Sequence, residues 1–217
     1  MPIRQSSVFI TVQLFAEQLV IARGERTVID RLSFSVSSGE ALILTGPNGS
    51  GKTTLLRALA GFLPLESGTI RLDGGADVPI GEQAHVVGHA NAVQANLTVG
   101  ENIRFWAEYL GGSDAAEQRA AAALAYFGLD ALADFYGAEL SAGQKRRLGL
   151  ARVLASHRPI WLLDEPTVSL DTAANELVSK AVDAHTANGG LVIAATHLPL
   201  GLARTRELRL GALEQAA

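Results

Sequence analysis

The chain has 217 residues, of which 48% are hydrophobic and 18% charged, with a formal net charge of −4. That length suits one well-buried domain or a core with a modest second lobe, and is short for two full domains. The acidic balance offers no general attraction for nucleic acid or anionic lipid, and the one basic cluster, Lys145-Arg146-Arg147, is short. Absence of cysteine excludes disulfides and thiolate metal sites. The opening stretch breaks its apolar residues with Gln13 and Glu17 and has no small-residue cleavage pattern, so no secretory leader is expected. No run approaches the roughly 18 apolar residues that a membrane-spanning helix needs.

In chain order, "FITVQLFAEQLVIARG" alternates as a strand does, and "EALILTG" (40–46) reads as a short buried strand ending on glycine before a helix-forming stretch, "KTTLLRALAGF". From 98 to 136 the chain is alanine-rich and periodic, which predicts two helices, the second with Ser113 and Asp114 as N-cap residues. "LSAGQKRRLGLARVLA" (140–155) predicts a helix whose start carries the S-x-x-Q capping box, Ser141 with Gln144. The runs "PIWLLDE" (159–165) and "GLVIAAT" (190–196) are apolar throughout, as parallel strands covered on both faces are. The pattern predicts a single domain over 1–217, an α/β core at about 1–97 and 137–217 with a helical lobe inserted at about 98–136.

The chemistry concentrates in a few stretches. "GPNGSGKTT" (46–54) matches the phosphate-loop pattern G-x-x-x-x-G-K-[ST] and lies between a strand and a helix, where that pattern has meaning. Gly46, Gly49 and Gly51 let the loop bend at Pro47, which has no N–H, and turn the amides of Asn48, Ser50, Thr54 and their neighbours around phosphate oxygens; Lys52 reaches the outer phosphates and Thr53 offers a hydroxyl to Mg²⁺. At the C-terminal end of "IWLLDEP", Asp164 is placed to hold Mg²⁺ and Glu165 to act as general base toward water. Read alone, an Asp-Glu pair there is an ordinary solvated turn. Gly143, in the first turn of its helix, leaves amides open to a second anion although the chain has one phosphate loop, so that second nucleotide belongs to another copy.

The order "GPNGSGKTT", "LSAGQ", "WLLDEP", "SLD" (169–171), "ATH" (195–197) resembles the ATP-binding subunits of ABC transporters over nearly the whole chain. The resemblance implies an ABC-type P-loop NTPase fold, with a mostly parallel sheet, an N-terminal antiparallel β portion and the inserted helical lobe. It implies ATP and Mg²⁺ as cofactors, membrane-spanning subunits as partners, no nucleic-acid partner, and a head-to-tail dimer. In that dimer Ser141, Gly143 and Gln144 of one copy close over the γ-phosphate held by the other. His197 becomes the histidine that contacts the γ-phosphate, and Asp171 lies in the loop joining the two sites.

Three departures stand out. Ala142 replaces the first glycine of the usual pair in the signature, and Arg23 stands where the family offers an aromatic ring to stack on adenine. The third is His89: the family has a glutamine about eight residues before "LTV", and counting back from Leu97 gives His89, a replacement able to contact Mg²⁺ or the attacking water through a ring nitrogen. Two alternatives stay open, Gln94 as the functional glutamine and a metal or haem site formed by His85 with His89, which share a face if the strand continues. The loop "GHANAVQANLTV", Phe105-Trp106, "ATHLPLGL" and an end 20 residues beyond His197 are similar to the ATP-binding subunits of haem exporters in cytochrome c maturation. They imply attachment to the cytoplasmic face of the inner membrane and leave as alternatives another exporter or an ABC ATPase unconnected to transport. Phe105, Trp106 and Tyr109 form an apolar stretch suited to receiving a short helix of a membrane subunit.

Overall fold

A computed structural model describes residues 11–196 and 205–211. Its elements in chain order are β1 (Gln13–Arg23), β2 (Arg26–Ser37), β3 (Ala41–Thr45), α1 (Lys52–Leu59), β4 (Ser67–Asp73), β5 (Ala84–Val87), α2 (Val99–Gly111), α3 (Ala116–Tyr126), α4 (Ala142–Ala155), β6 (Ile160–Asp164), α5 (Thr172–Ala187), β7 (Leu191–Ala195) and β8 (Thr205–Arg209). They fall into two compact units, one drawing on residues up to Val86, Pro159–Glu165 and the chain from Val182 onward, the other on Val87–Arg158 and Pro166–Ala181.

In the first unit, β1 and β2 form a hairpin and β4 adds to the free edge of β1, giving an antiparallel sheet in the order β2-β1-β4. The buried positions of β1 change phase, Leu14 and Ala16 before the break and Leu19 and Ile21 after it. A register shift between Ala16 and Leu19, with Gln18 at φ 50°, absorbs the extra residue and keeps both pairs on the core face. The second sheet runs β5-β6-β7-β3-β8, with β3 parallel to both β7 and β8, and β6 parallel to β7. Every residue of β6 and β7 is buried, as their unbroken apolar sequences require. Leu55, Leu56 and Leu59 of α1 share one core with both sheets, so the phosphate loop that precedes α1 is fixed at both ends.

The second unit is helical around α2, α3 and α4. Ala107, Ala116, Ala120, Ala123 and Ala151 are buried there, so small side chains fill the contact layer between helices, with Phe127 and Leu129 closing one end. Thr98 and Glu101 form a capping box at the start of α2. At α3 the expected Ser113 or Asp114 cap is not what forms. The N-cap is Ala115 at φ 55°, with no side-chain cap. The reason lies in Arg119, whose guanidinium takes the Asp114 carbonyl together with Gly112 O at 2.7 Å, Ala107 O at 2.8 Å and Ala155 O at 3.0 Å. It gathers the backbone of the turn and delays the helix.

Candidate functional site

The phosphate loop begins where β3 ends. Gly46 has φ +132°, and a Cβ built there would lie 2.2 Å from the Leu210 carbonyl oxygen, so no other residue fits. Gly51 is the N-cap of α1 at φ +101°, pressed against Val28 and Ile29 of β2. No side chain caps α1, which leaves its first amides directed into the loop. Pro47, Asn48 and Gly49 form the exposed rim, while Thr54 is buried at 6% exposure. Lys52, only 7% exposed, folds back and donates to Gly46 O at 2.7 Å and Pro47 O at 3.1 Å. Ser50 Oγ is buried without a hydrogen-bond partner, an orphaned donor of the kind an oxyanion satisfies.

Beside this loop stands the end of β6. Thr53 is exposed, and its Oγ1 donates to Asp164 Oδ2 at 2.9 Å. A hydroxyl and a carboxylate at hydrogen-bond distance next to a phosphate cradle form the hard oxygen donor set that suits Mg²⁺. Glu165 follows in a left-handed backbone conformation, φ +46°, and its amide donates to Ala195 O at 2.8 Å, which fastens the residue to the end of β7. Burial of the whole of β6 holds this pair of carboxylates on a rigid strand end. Arg23, at the hairpin tip between β1 and β2, is exposed.

β5 ends at Val87, two residues before His89, so the strand alternation that would put His85 and His89 on one face does not reach His89. His85 is a buried side chain at 3% exposure. The loop from Gly88 onward is held by side chains that the sequence did not single out. Asn102, at the first turn of α2, accepts from Gln94 N at 2.7 Å and donates back to Gln94 O at 3.0 Å; Arg146 of α4 donates to Gly88 O at 2.7 Å. Ser141 and Gln144 form the expected capping box, Gln144 N to Ser141 Oγ at 3.2 Å and Ser141 N to Gln144 Oε1 at 2.8 Å. Gly143 faces the Ser169 carbonyl, which a Cβ would approach to 3.0 Å. Asp171 accepts from Ala174 N at 2.8 Å and so caps α5. His197 lies outside the described residues.

Phe105 and Tyr109 are exposed and stack with ring centroids 5.7 Å apart, while Trp106 is half-buried beneath the Arg152 guanidinium, 4.7 Å from its ring. Burial, with the neighbouring Arg146 charge, pushes the Arg152 guanidinium down to about 10. Asn91, Asn102, Trp106, Leu148 and Arg152 line a small dimple at this place. Among the described residues, no helix is long and apolar enough to cross a membrane.

The ABC transporter family matches residues 29–168, which contain the phosphate loop, the signature and the β6 carboxylates. The chain is 51% identical over 191 residues to the cytochrome c biogenesis ATP-binding export protein CcmA of Rhodopseudomonas palustris, covering 88% of this chain and 94% of the relative. It is 50% identical to the CcmA of Bradyrhizobium diazoefficiens, covering 92% and 98%, and 45% identical to that of Agrobacterium fabrum, covering 91% and 94%. Among solved structures, an ATP-binding subunit of an ABC transporter superposes with a TM-score of 0.80 at 25% identity, over 91% of this chain and 87% of that one. A bacterial Atm1-family ABC exporter with ATP bound shares the fold, with a TM-score of 0.79 at 24% identity over 96% of this chain and 39% of the exporter. Members of this family work with membrane-spanning transporter subunits, and such partners follow for this chain from its membership. The chain belongs to the ABC transporter family, as one of its ATP-binding and ATP-hydrolysing subunits.

Proposed function

We propose that the chain powers an exporter that acts in cytochrome c biogenesis, moving haem or a component associated with it, from the cytoplasmic face of the inner membrane. The observation that carries this reading is the similarity of 45–51% identity, over about nine-tenths of the chain, to proteins named as cytochrome c biogenesis export ATPases. Within the site, Lys52 exchanges the Gly46 and Pro47 carbonyls for the outer phosphate oxygens, and the free amides of α1 with Ser50 Oγ complete the cradle. Mg²⁺, held by Thr53 and Asp164, would neutralise charge across the phosphates. Glu165 accepts the proton of the water that attacks the γ-phosphorus, as the bond to the bridging oxygen breaks and ADP and phosphate leave. His197 and His89 contact the γ-phosphate and the attacking water, and Arg23 packs on adenine. Two copies bind head to tail, with Ser141, Gly143 and Gln144 of one over the nucleotide of the other and Asp171 between the sites. The dimple beside Trp106 receives a short helix of the membrane subunit.

The test compares two variants of the purified chain. Glu165→Gln is expected to retain ATP and to dimerise on it while losing hydrolysis by about a thousandfold; Lys52→Ala is expected to lose ATP affinity and turnover together. Ordinary turnover in Glu165→Gln, or a monomer at saturating ATP-Mg even with the membrane subunits present, would contradict the mechanism. Co-purification from a membrane fraction checks the export role through the identity of the bound membrane subunits.

A further inference from the structure

Arg146 lies on the buried side of α4 at 4% exposure, where a guanidinium needs acceptors in place of water. Its Nε donates to Pro166 O at 3.2 Å, and Nη1 donates both to Gly88 O at 2.7 Å and to Asn91 Oδ1 at 3.1 Å. A guanidinium is a flat, rigid fork, so its acceptors are held in fixed relation to one another as well as to α4. The acceptors are telling. Gly88 precedes His89, Asn91 follows it by two residues, and Pro166 is the residue bonded to Glu165. The α4 surface is shaped to the same end: at Gly149 a Cβ would come within 2.9 Å of Asn91 O, so the helix gives up a side chain to let the loop lie against it. Asn91 also forms part of the dimple beside Trp106 and Arg152. One loop residue therefore belongs both to that dimple and to the set of groups that Arg146 holds.

We propose that Arg146 is a positioning residue that ties the His89 loop to the segment following Glu165, so that a membrane subunit seated beside Trp106 sets the rate of hydrolysis by moving Asn91 against this guanidinium. The second half of this inference rests on the docking reading given above; the first does not. Removal of the fork should leave the phosphate loop intact and slow the chemical step, whereas a residue that only fills space would weaken binding and turnover alike.

The experiment measures KM and kcat for ATP, affinity for a fluorescent ATP analogue, and the melting temperature for Arg146→Lys and Asn91→Ala, each alone and combined with His89→Gln. Lysine keeps the charge but cannot serve three acceptors in fixed geometry. Arg146→Lys is expected to hold nucleotide affinity within about twofold while kcat falls about tenfold, and its effect on kcat is expected to shrink at least about threefold in the His89→Gln background. A wild-type kcat in Arg146→Lys, or losses that multiply independently of His89, overturns the tie. If the lysine variant melts too low to assay, the cycle between Asn91→Ala and His89→Gln decides on the same criterion. The membrane subunits are assayed separately. If they stimulate the wild-type chain and not Asn91→Ala or Arg146→Lys, the coupling stands; stimulation of all three to the same degree removes it. If they fail to bind even the wild-type chain, the docking reading and the coupling built on it fall, while the basal cycle still decides whether Arg146 ties the two segments.

Discussion

Thr53 and Asp164 stand 111 residues apart in sequence, and Thr53 Oγ1 donates to Asp164 Oδ2 across 2.9 Å. The contact joins the first residues of α1 to the last residue of β6, and sets a hydroxyl and a carboxylate side by side next to the phosphate loop. Asp164→Asn preserves the shape and removes the charge. It is expected to bind a fluorescent ATP analogue normally without Mg²⁺ and to lose most of the gain in affinity, about tenfold or more, that Mg²⁺ gives the parent chain. A titration with and without the ion checks this; the same gain in both proteins would place the cation elsewhere.

Glu165 occupies the left-handed region at φ +46°, where a side chain costs about 1 kcal/mol and asparagine is tolerated better. Glu165→Asn should raise the melting temperature by about 2–4 °C, the shift that about 1 kcal/mol produces in a chain of this size, while abolishing hydrolysis. Scanning calorimetry beside an ATPase assay reads both. An active variant, or one that melts lower than the parent, contradicts the view that the strain is retained for the chemistry.

Arg119 draws together carbonyls from the C-terminal ends of α2 and α4 and from the turn before α3. Loss of a charged donor shared by several carbonyls costs about 2–3 kcal/mol. Arg119→Ala is expected to lower the unfolding free energy of the helical unit by that amount, with little change in ATP affinity, because the phosphate loop belongs to the other unit. Urea unfolding followed through Trp106 gives the value, and a loss below about 0.5 kcal/mol would show the contacts to be of little weight.

His157 sits where α4 turns toward β6, an exposed residue whose imidazole is pushed below the usual range by partial desolvation. The fold therefore favours the neutral ring, and the unfolded chain takes up a proton first as the pH falls. The contribution to stability is present above the unfolded value of about 6.5 and is lost as the pH drops from there toward the lower folded value. Melting temperatures measured from pH 7.5 to 5.5 should fall less steeply for His157→Gln than for the parent chain. Identical slopes would show that other groups set the acid limit.

The parts of the site that were legible in the sequence are those whose chemistry is contiguous. The loop from Gly46 to Thr54 needs its glycines, lysine and threonine at fixed spacing, and the Ser141 and Gln144 capping box is a relation between residues three apart. The buried strands β6 and β7 announced themselves by unbroken apolar runs. What stayed hidden depends on partners far along the chain or on backbone atoms. Nothing in the sequence marks the roles of Arg146 and Arg119, because their acceptors are mostly carbonyls, which no residue type signals. Strand β8, "TRELR", is polar and lies at the sheet edge, with no apolar pattern to betray it, and the phase change in β1 came from a bulge. The expected cap at Ser113 or Asp114 failed for a related reason, since the Arg119 guanidinium claimed the carbonyls of the turn.

The close approach at Gly149 bears on how this chain could be made hardier. A glycine inside a helix gives up about 1 kcal/mol relative to alanine, and replacing such residues is among the first moves in thermostabilisation. Here the added methyl group would arrive 2.9 Å from Asn91 O and 3.2 Å from its Cα, backbone atoms that cannot swing aside as a flexible side chain would. The gain in helix propensity would be spent on displacing the loop that carries His89. A library screened for heat resistance alone should therefore reject alanine at 149, or accept it only in proteins whose hydrolysis no longer answers to their partner.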